Sequence, residues 1–185
     1  MTASTAHSDT AEPAAVVLIV LDVDGVLNRL PANQDEPAVP VTRRDGRSFP
    51  IRVDRAVIAA LDEQVQRPGV RLGWLTTWGE DLDRLVIDAF NEMLSGGYVI
   101  AERPDEIFVP MDRKLRALLV HLEELGNPPY VWADDDAVNA ALLFRPTFAI
   151  DTAGKRLLFD TDPEAGLTLE QVAAIETFID LALSS

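Results

Sequence analysis

The sequence contains no cysteine. That excludes a disulfide scaffold, a thiolate zinc site and a cysteine nucleophile together. Histidine is nearly absent: His7 lies close to the N-terminus and His121 within a helical pattern, so no histidine-based triad is supported. Basic charge is scarce as well. The 16 Lys and Arg face 31 Asp and Glu, and the net charge of -15 argues against binding long nucleic acid or an anionic membrane through overall charge. No apolar run is long enough to span a bilayer, Ala14–Leu21 being far too short. The preceding "MTASTAHSDTAEP" has no basic n-region, so the expected location is cytoplasmic. No P-loop and no dinucleotide-binding glycine fingerprint occur.

What is present is a globular chain. At 185 residues and 48% hydrophobic, it is long and apolar enough for one domain with a real core. We expect a disordered tail over residues 1–15 and one folded domain over 16–185. Apolar runs alternate with helical stripes. Val16–Leu21 has the continuous aliphatic character of a strand buried on both faces. Val53–Gln66 reads as a helix ended by Pro68-Gly69, and Val70–Thr77 as a second strand. A helical stripe runs from Leu82 to Met93, stopped by Gly96-Gly97, before "YVIA". Asp112 is placed to cap a helix bearing Leu115, Leu118, Leu119, Leu122 and Leu125. "YVWA" and "TFAI" read as further strands, and Thr168-Leu-Glu-Gln171 as the capping box of a last helix. The alternation predicts an α/β fold: a doubly wound, mainly parallel sheet with helices on both faces.

Asn28 to Val53 departs from that rhythm. Asp45-Gly46 is a hairpin turn pair, so a β-hairpin flap is expected after the first strand. It carries Arg43, Arg44, Arg47 and Arg52. Two readings stand: an anion-attracting surface, or a solvated hairpin whose charges deter edge pairing.

The most apolar run ends in two acids. "VVLIVLDVDGVLN" drives a core strand into Asp22 and Asp24, with Gly25 behind them. Two carboxylates one residue apart at a strand end suit a small hard cation such as Mg²⁺, which takes oxygen ligands. Gly25 frees the backbone for a tight turn and lets its amide approach an anion. A calcium loop is a poor reading, because Leu27 occupies the position that needs glycine. Other strand ends add polar groups where ligands bind in such sheets. "WLTTW" offers Thr76 and Thr77, and "WADDD" places three acids after a buried strand. Lys114 falls in the first turn of its expected helix, where charge and free amides both favour an anion.

In this order, the segments resemble the four motifs of the haloacid dehalogenase (HAD) superfamily. "DVDGVLN", "LGWLTT", Lys114 in "MDRKLRAL" and "VWADDD" carry the resemblance. With the terminal "GLTLEQVAAIETFI" they resemble the branch found in Swiss-Army-knife RNA repair proteins. The resemblance implies a phosphohydrolase on a phosphorylated substrate, with a nucleotide or a nucleic-acid end as the narrower class. It implies Asp22 as nucleophile, Asp24 as general acid and base, Thr76 (or Thr77) on a phosphoryl oxygen, and Lys114 neutralising charge. It further implies Mg²⁺ held by Asp22, the Asp24 carbonyl and a carboxylate from Asp134 or Asp135, with Asp135 preferred and Asp136 left as a helix cap. Arg43, Arg44 and Gly25 are candidate substrate contacts. Trp78 is either a stacking surface or core packing. The gaps between motifs leave no room for a separate cap domain. A non-catalytic phospho-ligand or partner-binding module is the alternative, and it has no need of both Asp22 and Asp24.

Overall fold

The computed structural model describes residues 17–33, 35–101, 110–144 and 156–184. Its central strand, β1 (Val17–Leu21), is buried along its whole length. The reason is visible in the packing. Val17, Ile19 and Leu21 enter one apolar cluster, and Leu18 and Val20 enter another on the opposite face. Successive strand side chains point to opposite faces, so a strand covered on both sides must be apolar throughout. Each such buried aliphatic side chain stabilises the fold by about 1.5–3 kcal/mol.

After β1 comes an antiparallel hairpin, β2 (Val39–Thr42) and β3 (Ser48–Ile51), turning through Asp45 and Gly46. Gly46 has φ +85, which glycine adopts without strain. Helix α1 (Arg55–Val65) is capped by the Asp54 carboxylate, which accepts from the Ala56 amide at 2.8 Å. Strand β4 (Val70–Trp74) follows, then a 3-10 turn (Gly79–Asp81), α2 (Leu82–Asp88) and β5 (Tyr98–Val99). Helix α3 (Pro110–Glu124), β6 (Tyr130–Asp134), α4 (Ala137–Phe144), β7 (Arg156–Asp160) and α5 (Leu169–Leu183) complete the described elements. The capping box at Thr168 and Gln171 forms as expected.

The main sheet has the order β5-β4-β1-β6-β7, and every pairing in it is parallel. The chain leaves β1 toward β4 and β5, then crosses back to β6 and β7. That reversal puts a topological switch point beside β1, where open α/β sheets bind ligands. Residues of α1, α2 and α5 cover one face of the sheet, and residues of α3 and α4 cover the other. Among the described residues no helix is long and apolar enough to cross a membrane.

Several expectations change in detail. β4 ends at Trp74, so Leu75, Thr76 and Thr77 leave the sheet. α2 stops at Asp88, and Asn91, Glu92 and Leu94 take positive φ values of 61, 65 and 59. A helix cannot continue through such residues. α3 is described from Pro110 onward. Asp112 therefore lies inside the first turn rather than ahead of it. Lys114 falls in the second turn, beyond the free amides. The "TFAI" segment lies outside the described residues. β7 instead comes from "RLLFD", whose partly exposed residues give neither clean alternation nor a fully buried run.

Candidate active site

Parallel pairing fixes the site. Leu21 is level with Trp74 on β4 and with Ala133 on β6. One residue further along, the Asp22 amide donates to the Ala133 carbonyl at 3.1 Å, and Asp134 follows Ala133 directly. Two carboxylates thus meet at one sheet edge, and α3 brings Lys114 to them. Lys114 Nζ donates to Asp22 Oδ2, and to Asp134 Oδ2 at 2.7 Å. The other Asp22 oxygen accepts from the Val23 amide at 2.6 Å.

Asp134 is fully buried and doubly committed. While Oδ2 holds Lys114, Oδ1 accepts from the amides of Asp136 at 3.1 Å and Ala137 at 2.7 Å. Asp134 therefore caps α4, the task expected of Asp136. Asp135 stands beside it, half-buried. Asp22, Asp134 and Asp135 each present a carboxylate oxygen within 4.8 Å of the others. The Asp135 carboxylate packs on Gly25, where an added Cβ would lie 2.2 Å from Oδ2. Gly25 also has φ +74. Two independent constraints thus require glycine at that position.

Three carboxylates share one ammonium. Burial pushes the Asp22 carboxyl above its usual range; Lys114 opposes that shift and Asp134 adds to it. Asp135 is pushed up to about 6, by burial and then by the charges of Asp134 and Asp22. Burial works against the Lys114 charge, yet Asp22 and Asp134 hold its ammonium above the ordinary lysine range. The donor set consists of hard oxygens and carries more negative charge than Lys114 neutralises. It fits Mg²⁺.

Asp24 is turned to other partners. Its Oδ1 accepts from Asn28 Nδ2 at 2.7 Å, and its Oδ2 accepts from the Trp78 indole Nε1 at 3.0 Å. Asn28 is a residue the sequence reading passed over. Its only signal was being the polar residue that closes "GVLN" after three apolar or small positions. Trp78 does not present an open stacking face. It is 2% exposed, with the Arg43 guanidinium 4.3 Å over its ring and Phe49 against it edge to face. Core packing is the reading that fits, with a hydrogen bond added. Thr76 is half-buried and Thr77 exposed; the Thr76 hydroxyl accepts from the Trp78 amide at 3.4 Å.

The hairpin arginines are engaged within the protein rather than gathered into an open anion surface. Arg43 also faces Asp81 at 4.0 Å, and Arg44 donates to Asp83 at 3.1 Å and pairs more distantly with Asp81 and Glu80. Arg47 pairs with Asp45 at 2.6 Å, and Arg52 is buried. The Arg43 and Arg44 contacts latch the hairpin to the 3-10 turn and α2. Arg43 and Arg44 thus face Asp81 and Asp83 rather than the Asp22 cluster.

A family profile described as the HAD domain in Swiss Army Knife RNA repair proteins matches residues 18–172. The chain belongs to this family. Among solved structures, the HAD domain of the effector protein Lem4 from Legionella pneumophila shares the fold of this HAD domain. Its TM-score is 0.56 at 16% identity, covering 91% of this chain and 98% of that one. An inactive mutant of the Lem4 domain gives a TM-score of 0.56 at 15% identity, covering 90% and 96%. A 3-deoxy-D-manno-octulosonate 8-phosphate phosphatase from Moraxella catarrhalis aligns more loosely, with a TM-score of 0.45 at 16% identity over 91% and 88%. No curated protein matches this HAD domain.

Proposed function

We propose that residues 16–185 form a cytoplasmic, Mg²⁺-dependent phosphomonoester hydrolase acting through an aspartyl-phosphate at Asp22. The observation that carries this reading is Lys114, held between Asp22 and Asp134 at the switch point of the sheet. A carboxylate nucleophile needs a fixed position and a cation to offset the charge that gathers when it meets a phosphate. Lys114 supplies both.

An Asp22 oxygen attacks phosphorus, and the bond from phosphorus to the ester oxygen breaks. The departing oxygen takes a proton from Asp24, leaving an alcohol and the aspartyl-phosphate. Asp24, now a carboxylate, takes a proton from water as that water attacks phosphorus. The Asp22 carboxylate leaves, and inorganic phosphate is released. Thr76, with Thr77 beside it, lies beyond the end of β4 to bind a phosphoryl oxygen.

Asp22, the Asp24 carbonyl and Asp135 would hold Mg²⁺. Both oxygens of Asp134 already serve Lys114 and α4, so Asp135 is the better ligand of the two. Bound Mg²⁺ supplies charge neutralisation for the phosphoryl oxygens. The relation to RNA repair proteins favours a nucleotide or a nucleic-acid terminal phosphate as substrate.

The test is phosphate release from an aryl phosphate, a nucleotide panel and oligonucleotides phosphorylated at either end, with Mg²⁺ and with chelator. Wild type should release phosphate only with the metal, and Asp22→Asn should not. Release that survives Asp22→Asn removes the nucleophile assignment.

A further inference from the structure

The hairpin is more than a cover, because two separate contacts run from it to the two oxygens of Asp24. On one side, the Arg52 amide at the end of β3 donates to Asn28 Oδ1 at 2.9 Å. The same Asn28 side chain donates from Nδ2 to Asp24 Oδ1 at 2.7 Å. On the other side, Trp78 donates to Asp24 Oδ2 at 3.0 Å while Arg43 and Phe49 from the hairpin enclose its ring. Arg43 spans both aromatic rings, 4.3 Å from Trp78 and 4.9 Å from Phe49. The indole is fully packed, so its N–H has one direction in which to point.

We propose that Trp78 is a positioning residue for Asp24, held in place by Arg43 and Phe49 of the hairpin. The inference rests on the phosphatase reading of Asp22 and Asp24. A carboxyl that serves as acid and then as base must keep one orientation through both steps, because misplacement by a fraction of an ångström costs rate steeply. Each carboxylate oxygen has two lone-pair sites, so Oδ2 can accept the indole N–H and still face a departing ester oxygen. Asn28 and Trp78 fix the plane of the carboxylate, and the hairpin fixes both. The flap's connection to the reaction is thus geometric, through Asp24, rather than through its arginine charges.

A purely structural role and a positioning role differ in which substrates suffer. Proton donation matters most for an ester whose leaving oxygen is a poor leaving group. We expect Trp78→Phe, assayed with Mg²⁺, to lower kcat/KM on an alkyl phosphate at least ~10-fold, a fraction of what a general acid contributes. On 4-nitrophenyl phosphate, whose phenolate needs little protonation to leave, kcat/KM should fall no more than about threefold. Hydrolysis of the aspartyl-phosphate, where Asp24 is the base, is common to both esters and enters kcat but not kcat/KM. Asp24→Asn should show the same substrate bias more strongly. Equal losses of kcat/KM on both esters, or no loss on the alkyl ester, overturn the proposal while leaving the nucleophile assignment intact. Failure of wild type to release phosphate from any ester overturns both readings.

Arg43→Met keeps an apolar stem against the ring and removes only the charge. It should give the same bias at smaller size, and it reports even if Trp78→Phe folds poorly. A readout free of turnover comes from the indole N–H signals of the three tryptophans. The signal lost in Trp78→Phe, or the one moved by Arg43→Met, should shift in Asp24→Asn and stay put in Asp135→Asn. An unmoved signal in Asp24→Asn contradicts the contact on which the proposal stands.

Discussion

A Cβ on Gly25 would fall 2.2 Å from Oδ2 of Asp135. Contacts to Cγ and Cβ of Asp135 are nearly as close, at 2.4 and 2.7 Å, so no small rotation of the carboxylate relieves them. Gly25→Ala should therefore displace Asp135 and strain the turn, costing about 1–2 kcal/mol for the left-handed backbone alone. Mg²⁺ should raise the melting temperature of wild type and raise it less in Gly25→Ala. An equal rise in both would separate Asp135 from the metal site.

The neighbouring acids Asp134 and Asp135 should respond oppositely to substitution. Asp134→Asn turns an amide toward Lys114 in a buried setting, and breaking one side of a buried pair costs about 3–5 kcal/mol. Asp135→Asn relieves crowding among three carboxylates, so the metal-free protein should keep its stability or gain some. Its Mg²⁺ affinity should fall instead. Urea unfolding of each variant, with and without Mg²⁺, distinguishes a structural acid from a liganding one.

Stability of the metal-free protein should fall as pH rises between 3.8 and about 6, the ordinary and folded values for Asp135. In that window the folded protein binds more protons than the unfolded chain, so deprotonation favours unfolding. The raised carboxyls of Asp22 and Asp160 act with the same sign. Mg²⁺ should reverse the trend by stabilising the ionised carboxylates. Urea midpoints measured across this range with chelator, then with Mg²⁺, check both statements. A midpoint that climbs through the window in chelator would contradict the crowding of charge.

Arg44 should be dispensable for binding a small phosphate ester. Its guanidinium is about half exposed and already faces Asp83, Asp81 and Glu80. Such exposed pairs are worth about 0–1 kcal/mol, so Arg44→Ala should change stability little. Its KM for 4-nitrophenyl phosphate should match wild type. A several-fold rise in KM would restore the hairpin as an anion contact.

Much of this arrangement was legible before the structure. β1 announced itself because burial on both faces leaves no polar position in a strand. The acids at its end stood out against that run. Lys114 and the charge-neutralising role expected of it were recognisable from a motif order. Its place in the helix was not: α3 begins before Asp112, so Lys114 reaches Asp22 and Asp134 by its side chain from the second turn. Asp135 was already preferred to Asp134 as the metal ligand; what was not readable is that Asp134 rather than Asp136 caps α4, since that depends on which oxygen meets the amides. The contact between Trp78 and Asp24 was hidden for a similar reason. It joins residues 54 positions apart, and nothing local to "WLTTW" directs an indole toward a carboxylate. The hairpin arginines allowed two readings, an anion-attracting surface or charges that deter edge pairing, because their acidic partners Asp81 and Asp83 lie a helix and a strand further along the sequence.

The central claim is that Asp22 carries the phosphoryl group. The direct measurement is to quench the enzyme during turnover of an aryl phosphate with Mg²⁺ present, reduce it with borohydride, and map the modified residue by peptide mass spectrometry. An aspartyl-phosphate is reduced to homoserine, whereas a free carboxylate is untouched. Homoserine is expected at position 22, dependent on substrate and absent in Asp22→Asn. Phosphate release with no modification at Asp22, or with modification at another residue, would contradict it.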